Sequence, residues 1–360
     1  MRFIHTADLH LNISMRHGTF AHAGIFEARR REHQSVLNRL ITYAENAKID
    51  ALFIAGDMFD DARIHRLDLT HYLKQLYHAS FETYLIIGNH DAFLRDESTR
   101  DIIQSYGIKL FDAHTRTHSI KGITICGFDT DDFEVSRFLE LSEAFKETTS
   151  VCLLHGDVFS PSDAHYLTDE GTLKHSSFDY IALGHIHKHQ QISDTIIYSG
   201  NPEPLDFSET APRGIVEGEF REGKLTTTFV PFAKRAFIHQ TLTLDDTMGP
   251  LDIEAAIQEI DDEQSRQTNL YRITLTGSVH ETLDIDTDTM RSRLKDAFYY
   301  LELIDETEGS IDLTRLKNAY KDTIIETLIE DFEHETAPSK TDEEALYEAL
   351  KSLLRTEDAS

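Results

Sequence analysis

The sequence predicts a layered α/β fold, followed by a small α+β unit and C-terminal helices, and three observations carry that expectation. Over the first two-thirds, short apolar runs alternate with amphipathic stretches, the pattern of a sheet covered by helices. Near Phe232–Arg235 the composition shifts, and a shorter alternation of strand and helix patterns begins. The chain has 360 residues, 40% of them hydrophobic, enough to bury two or three separate cores. The boundaries expected from these shifts are 1–235, 236–308 and 309–360.

Strand patterns fall at Phe3–Thr6, Ala51–Ala55, Tyr84–Ile87, Ile123–Cys126, Val151–Leu154, Tyr180–Leu183 and Ile196–Tyr198. A helix is expected over about 29–47, where Val36, Leu37, Leu40 and Ile41 form one stripe. Further helices are expected at Leu67–His78 and Ser136–Phe145. Gly214–Phe220 and Leu225–Val230 flank Arg221-Glu222-Gly223-Lys224 and read as a hairpin. Beyond residue 235 the pattern is strand (Phe237–Leu244), helix (Ile253–Ile260), strand (Leu270–Thr276), helix (Thr289–Ala297) and strand (Tyr299–Ile304). Tyr320, Ile324, Leu328 and Phe332 share a helical stripe. After Pro338, Thr341-Asp342-Glu343-Glu344 has capping-box spacing before Leu346, Leu350, Leu353 and Leu354. These last stripes lie on short acidic helices and are expected to dock on another protein.

The formal charge is −29. Residues 1–235 hold 34 acids and 24 bases, a net of −10, and residues 236–360 hold 30 acids and 11 bases, a net of −19. A chain this acidic lacks the basic face with which a protein grips nucleic acid unaided. Cys126 and Cys152 each lie in an apolar strand pattern and read as buried free thiols. No run of about 18 apolar residues is present to cross a bilayer, and the first residues lack a secretory signal, so a cytoplasmic location without membrane contact is expected.

Five short segments each follow an apolar run directly: Asp8-Leu9-His10, Gly56-Asp57, Gly88-Asn89-His90-Asp91, His155-Gly156-Asp157 and Gly184-His185-Ile186-His187. Open α/β sheets bind ligands outside the carboxyl ends of their strands, so five such ends point to one place. Taken singly, each polar residue is an ordinary cap on a strand end; five together are a site. Asp8 and His10, like His185 and His187, stand two apart, a spacing that puts both on one side of an extended chain. Carboxylate, amide oxygen and imidazole suit Mn²⁺, Fe²⁺ or Zn²⁺ and fit Ca²⁺ poorly. Seven ligands, Asp8, His10, Asp57, Asn89, His155, His185 and His187, exceed what one tetrahedral ion needs and match two ions bridged by Asp57. Such a pair suits phosphoryl transfer, in which His90 is the spare acid and Asp91 holds its tautomer.

In this order, Asp-x-His, Gly-Asp, Gly-Asn-His-Asp, His-Gly and Gly-His-x-His resemble the calcineurin-like metallophosphoesterase superfamily. Phe3–Leu11, Ile54–Asp60 and Tyr198–Glu209 resemble its DNA-repair exonuclease branch, the SbcD-type nucleases. The resemblance covers roughly residues 1–235. It implies a four-layer α/β/β/α sandwich with a capping domain and partner-binding helices. It further implies that Asp8, His10, Asp57 and His187 hold one metal, that Asp57, Asn89, His155 and His185 hold the other, and that His90 is the catalytic histidine. Mn²⁺, DNA ends and an SbcC-type coiled-coil ATPase partner are implied in the same way; a homodimer is left open. Departures are Asn12, where a glycine often follows the first motif, and the insert-like stretch 13–28 with His17 and His22. Rival readings are a phosphatase or cyclic-nucleotide phosphodiesterase with the same ligands, and a non-catalytic scaffold.

Other residues carry less. Asp60 and Asp157 read as turn residues or supports for ligands, and His5 as a packed strand residue. His17, His22, His165, His175 and His189 read as exposed. The Tyr198–Glu209 loop reads as a structural bracket, and Arg29-Arg30-Arg31 as either a solvated helix face or a phosphate contact.

Overall fold

Four residues after Arg2 complete the first strand, and burial of every one of them shows how the molecule is layered. The structure is a computed structural model that describes residues 1–13, 23–60, 64–280, 283, 285–310, 313–334, 339, 342, 345–350 and 353. In chain order the elements begin β1 (Arg2–Thr6), α1 (Ala23–Gln34), α2 (Val36–Ala47), β2 (Ala51–Ile54), α3 (Arg66–Tyr77), β3 (Glu82–Ile86), α4 (Glu97–Ser105), β4 (Lys109–Phe111), β5 (Thr117–Ile120) and β6 (Ile123–Gly127). They continue α5 (Val135–Ala144), β7 (Ser150–His155), α6 (Glu170–His175), β8 (Tyr180–Gly184), β9 (Gln190–Ser193), β10 (Ile196–Tyr198), β11 (Gly214–Arg221) and β12 (Lys224–Pro231).

These strands form two six-stranded sheets among the described residues, ordered β12-β11-β1-β2-β3-β4 and β5-β6-β7-β8-β10-β9. Side-chain alternation along each strand builds the layers. Phe3, Phe53, Tyr84 and Ile86 of the first sheet bury against Ile125, Val151, Leu153, Tyr180 and Ala182 of the second. Ile4, Leu52, Ile54 and Leu85 point the other way, onto Val36, Leu37, Leu40, Leu69 and Leu73 of α2 and α3. On the outer face of the second sheet, Cys126, Cys152, Leu154 and Leu183 pack with Phe138 of α5 and Leu173 of α6. The result is an α/β/β/α sandwich. Both cysteines are buried free thiols.

The strand patterns expected from the sequence are strands, with ends shifted by at most two residues except at Leu270–Thr276, which runs on to His280. Helix 29–47 is two helices, α1 and α2, because Ser35 gives its hydroxyl to the Glu32 carbonyl at 2.7 Å and interrupts the regular run. The expected hairpin is β11 and β12, closed by Glu222 and Gly223, both with positive φ, as a two-residue turn requires.

One compact unit comprises Met1–Ile238 with Thr268–Leu270, and a second comprises His239–Gln267 with Tyr271–Ser360. The later elements are β13 (Phe237–Leu244), α7 (Pro250–Gln258), α8 (Glu263–Thr268), β14 (Leu270–His280), α9 (Thr287–Arg293), β15 (Tyr300–Asp305), β16 (Glu308–Ser310), α10 (Leu313–Ala319) and α11 (Ile324–Glu333). The sheet runs β13-β14-β15, with β16 also paired to β14. A small core forms from Leu316, Ile325, Ile329, Leu346 and Leu350; of the stripe expected over 320–332, Tyr320, Leu328 and Phe332 are partly buried against that core and Ile324 is exposed. Residues 341, 343 and 344 of the expected capping box, Leu354, His17 and His22 lie outside the described residues. Among the described residues, no helix is long and apolar enough to cross a membrane.

Candidate metal centre

In the first sheet β1, β2 and β3 run parallel, and in the second β7 and β8 do. Their carboxyl ends therefore release Asp8 and His10, Asp57, Asn89, His155, and His185 and His187. The two-residue spacings do not work through extended chain, contrary to expectation. Asp8, His10, Asp57 and His185 have φ of 54°, 43°, 49° and 96°, so the backbone turns left-handed at each. L-residues pay roughly 1–3 kcal/mol for such a conformation, and here several are held together. The loops lock one another: Asp8 N–H donates to the Gly56 carbonyl at 3.1 Å and His10 N–H to that of Asp57 at 3.0 Å. Gly184 permits the closest approach, since a Cβ there would strike the Ala55 carbonyl oxygen and lie 2.9 Å from His155 Nδ1.

All seven predicted ligands meet in one chain of contacts. The Asp8 carboxylate accepts the His185 N–H at 3.0 and 3.1 Å. His10 Nε2 and His187 Nε2 stand 3.1 Å apart. Asp57 Oδ2 lies 3.9 Å from His10 Nε2 and 3.3 Å from His155 Nε2, while Oδ1 accepts the His90 N–H at 2.9 Å. A single oxygen of Asp57 thus faces both halves of the cluster. Asn89 Oδ1 lies 2.9 Å from His155 Nε2 and 3.2 Å from His185 Nδ1. Asp8, His10 and His187 could hold an ion, as could Asp8, Asp57 and His155.

The protonation chemistry favours cations here. His155 Nδ1 donates to the Ala55 carbonyl at 2.8 Å, which directs its Nε2 lone pair inward. His10 Nδ1 lies 3.0 Å from Asp60 Oδ1, and His187 Nδ1 lies 2.5 Å from Glu209 Oε1. With Nδ1–H given to a carboxylate, each Nε2 presents a lone pair, and two lone pairs 3.1 Å apart repel unless positive charge lies between them. Burial alone would push the His155 imidazole down, but the Asp57 carboxylate beside it raises it to about 9. Burial works against the Asp57 carboxylate too, yet His155 and then His10 hold it well below the usual range. Cations bound among these groups take the place of protons.

A model of the calcineurin-like phosphoesterases matches residues 1–189, more than half the chain and a span that includes all seven candidate residues. The chain belongs to the calcineurin-like phosphoesterase family. This family hydrolyses phosphoester bonds at a dinuclear metal centre. Among relatives, the uncharacterized metallophosphoesterase YhaO of Bacillus subtilis is 26% identical over 88% of this chain and 84% of its own length. The DNA double-strand break repair protein Mre11 of Halobacterium salinarum is 26% identical over 77% of this chain and 70% of its own. The SbcD component of the nuclease SbcCD of Escherichia coli K12 is 25% identical over 62% of this chain and 66% of its own.

Within this phosphoesterase centre His90 is exposed at the rim, its ring 4.9 Å from that of His10. Asp91 does not serve it, and that expectation is corrected. Its buried carboxylate turns away from His90 to accept the Met58 and Phe59 N–H groups at 2.9 and 2.8 Å. Burial, with Asp57 close by, raises it to about 7. The group beside His90 is Asp60, whose backbone oxygen lies 3.3 Å from His90 Nδ1. Two supports gain a definite partner here. Asp60 is the support of His10, and Glu209, which carried no individual expectation, is the support of His187. Glu209 is also the bracket of the Tyr198–Glu209 loop, accepting from Asn201 Nδ2 at 2.9 Å and Leu205 N–H at 2.8 Å.

Arg29 is neither solvated nor a phosphate contact. It is fully buried, with Nη1 2.6 Å from Glu32 and 2.9 Å from Glu203, and Nη2 donating to the Pro204 carbonyl at 2.9 Å. His5 is buried against Tyr180, 2.8 Å from its hydroxyl. His189, expected exposed, is half-buried, stacked on Phe229 at 4.2 Å. His165 lies edge-on to His185 at 5.5 Å.

Proposed function

We propose that this phosphoesterase is a metal-dependent DNA nuclease subunit that hydrolyses phosphodiester bonds at DNA ends and works with a coiled-coil ATPase. The observation that carries the reading is the convergence of five strand ends on one acid–imidazole cluster, in a chain similar along most of its length to Mre11 and to the SbcD component of SbcCD. Asp8, His10, Asp57 and His187 would hold one divalent ion, and Asp57, Asn89, His155 and His185 the other, with Mn²⁺ the metal we assign. When bound, the pair supplies Lewis acidity toward a phosphoryl oxygen and an acidified water.

The chain's own residues do the rest. Asp57 offers one oxygen to both halves of the site while the His90 N–H fixes the other. His90 can donate Nδ1–H to the Asp60 carbonyl, which leaves Nε2 to carry a proton to the departing oxygen. Its side chain is 44% exposed, so a substrate can reach it. The net charge of −29 favours a partner that supplies much of the grip on DNA.

The test is hydrolysis of linear duplex DNA, nucleotide monoesters and cyclic nucleotides with added Mn²⁺, alone and with a candidate ATPase. Degradation of DNA from its ends is the expected result. Turnover confined to monoesters or cyclic nucleotides would instead make the chain a phosphatase or a cyclic-nucleotide phosphodiesterase.

A further inference from the structure

We infer that the two cation positions are unequal, and that the one formed by Asp8, His10, Asp57 and His187 takes up its ion first because Asp60 and Glu209 act as positioning residues for both of its histidines. This rests on the ligand assignment proposed above.

The asymmetry lies behind the ligands. On one side, each histidine gives its distal nitrogen to a carboxylate: His10 to Asp60 at 3.0 Å and His187 to Glu209 at 2.5 Å. Glu209 is buried, and its second oxygen is fixed by Asn201 and by the Leu205 N–H. On the other side, His155 gives Nδ1 to the neutral carbonyl of Ala55. His185 has Nδ1 toward Asn89 Oδ1, and its nearest carboxylate, that of Asp163, stands 3.6 Å from Nε2 on a 36% exposed side chain. Asp8 and Asp57 lie close to ligands on both sides, so the difference is in the distal nitrogens. Both histidines of the first position face a carboxylate there, Asp60 and Glu209, whereas the second has the Ala55 carbonyl behind His155 and only the half-exposed Asp163 near His185. A carboxylate on the distal nitrogen fixes the tautomer and makes the ligating nitrogen more basic, and more negative charge at a site tightens its hold on a divalent cation. At low free metal only the first position is filled, and the second exchanges.

The experiment is a Mn²⁺ titration of the metal-free full-length chain by calorimetry, with free Mn²⁺ followed by electron paramagnetic resonance. Two binding events, separated by at least about tenfold in affinity, are expected. Glu209→Gln should weaken the tighter event by roughly 10–100-fold and leave the weaker one unchanged. Asp60→Asn should move the same event, and Asn89→Ala the other. Thermal melting of the metal-free variants reports folding; if Glu209→Gln does not fold, Asp60→Asn and the wild-type separation decide. Two equal events, or a Glu209→Gln loss shared by both, would overturn the inference while leaving the ligand assignment standing. No Mn²⁺ uptake at all would remove the assignment itself.

Discussion

His10 and His187 direct their Nε2 atoms at one another across 3.1 Å, although β1 and β8, the strands they follow, lie in different sheets. The two sheets thus meet at a point where two imidazole nitrogens face one another, an arrangement that suits a cation held between them.

Removing the shared carboxylate should disable both halves. Asp57→Asn is expected to lower hydrolysis of a phosphodiester at least about 10³-fold and to reduce bound metal, because Oδ2 faces His10 and His155 together. Turnover of bis-p-nitrophenyl phosphate and elemental analysis of the same sample check it.

His90→Gln should separate chemistry from binding. The ring sits at the rim and contributes no atom to the chain of contacts joining the seven ligands, so metal content should be unchanged while hydrolysis falls roughly 10²–10⁴-fold. Full activity in this variant would remove its proposed role as proton donor.

Neighbouring arginines should behave differently. Arg29→Ala opens an empty space between buried Glu32 and Glu203, which keep Arg235 and Arg39 as partners, and is expected to cost about 2–3 kcal/mol in urea unfolding. Arg30 pairs with Glu27 at the surface, both side chains more than 40% exposed, and Arg30→Ala should change stability by less than about 0.5 kcal/mol.

Two buried histidines should destabilise the metal-free fold in mild acid, while Asp91 and His155, whose raised values favour the protonated folded chain, act in the opposite direction. Burial pushes His5 down to about 3, and burial, followed by the charge of Arg29, pushes His33 down to about 4, both from 6.5. The folded chain therefore resists protons that the unfolded chain accepts. The stability these two histidines contribute is fully present above about pH 6.5 and is lost progressively as the pH falls toward these lower values. Between pH 7.5 and 5 each histidine should cost roughly 2 kcal/mol. Urea unfolding of the wild type and of His33→Gln at both pH values checks this: on going from pH 7.5 to 5 the change in stability of His33→Gln should be more favourable than that of the wild type by about 2 kcal/mol.

The strands of the two six-stranded sheets that were illegible in the sequence share a position. β4, β5 and β9 do not stand out as strand patterns, and all three are sheet edges. An edge strand is covered on fewer sides, so Thr117-His118-Ser119-Ile120 and Gln190-Gln191-Ile192-Ser193 need little apolar character. Central strands such as β7 and β8, buried along their whole length, are plain. The convergence of the seven candidate ligands was legible because each follows a central strand. Their supports were not: adjacency suggests that Asp91 serves His90, but the two side chains diverge, and Asp60 reaches His10 from 50 residues away. Arg29 and Arg30 differ only in helical phase, about 100° per residue, which a run of three arginines conceals.

The most direct test of the account is a crystal of the Mn²⁺-loaded chain measured for anomalous scattering. Two peaks are predicted, one among Asp8, His10, Asp57 and His187 and the other among Asp57, Asn89, His155 and His185. A map with no peak between His10 and His187, or with Mn²⁺ bound elsewhere in the chain, would contradict it.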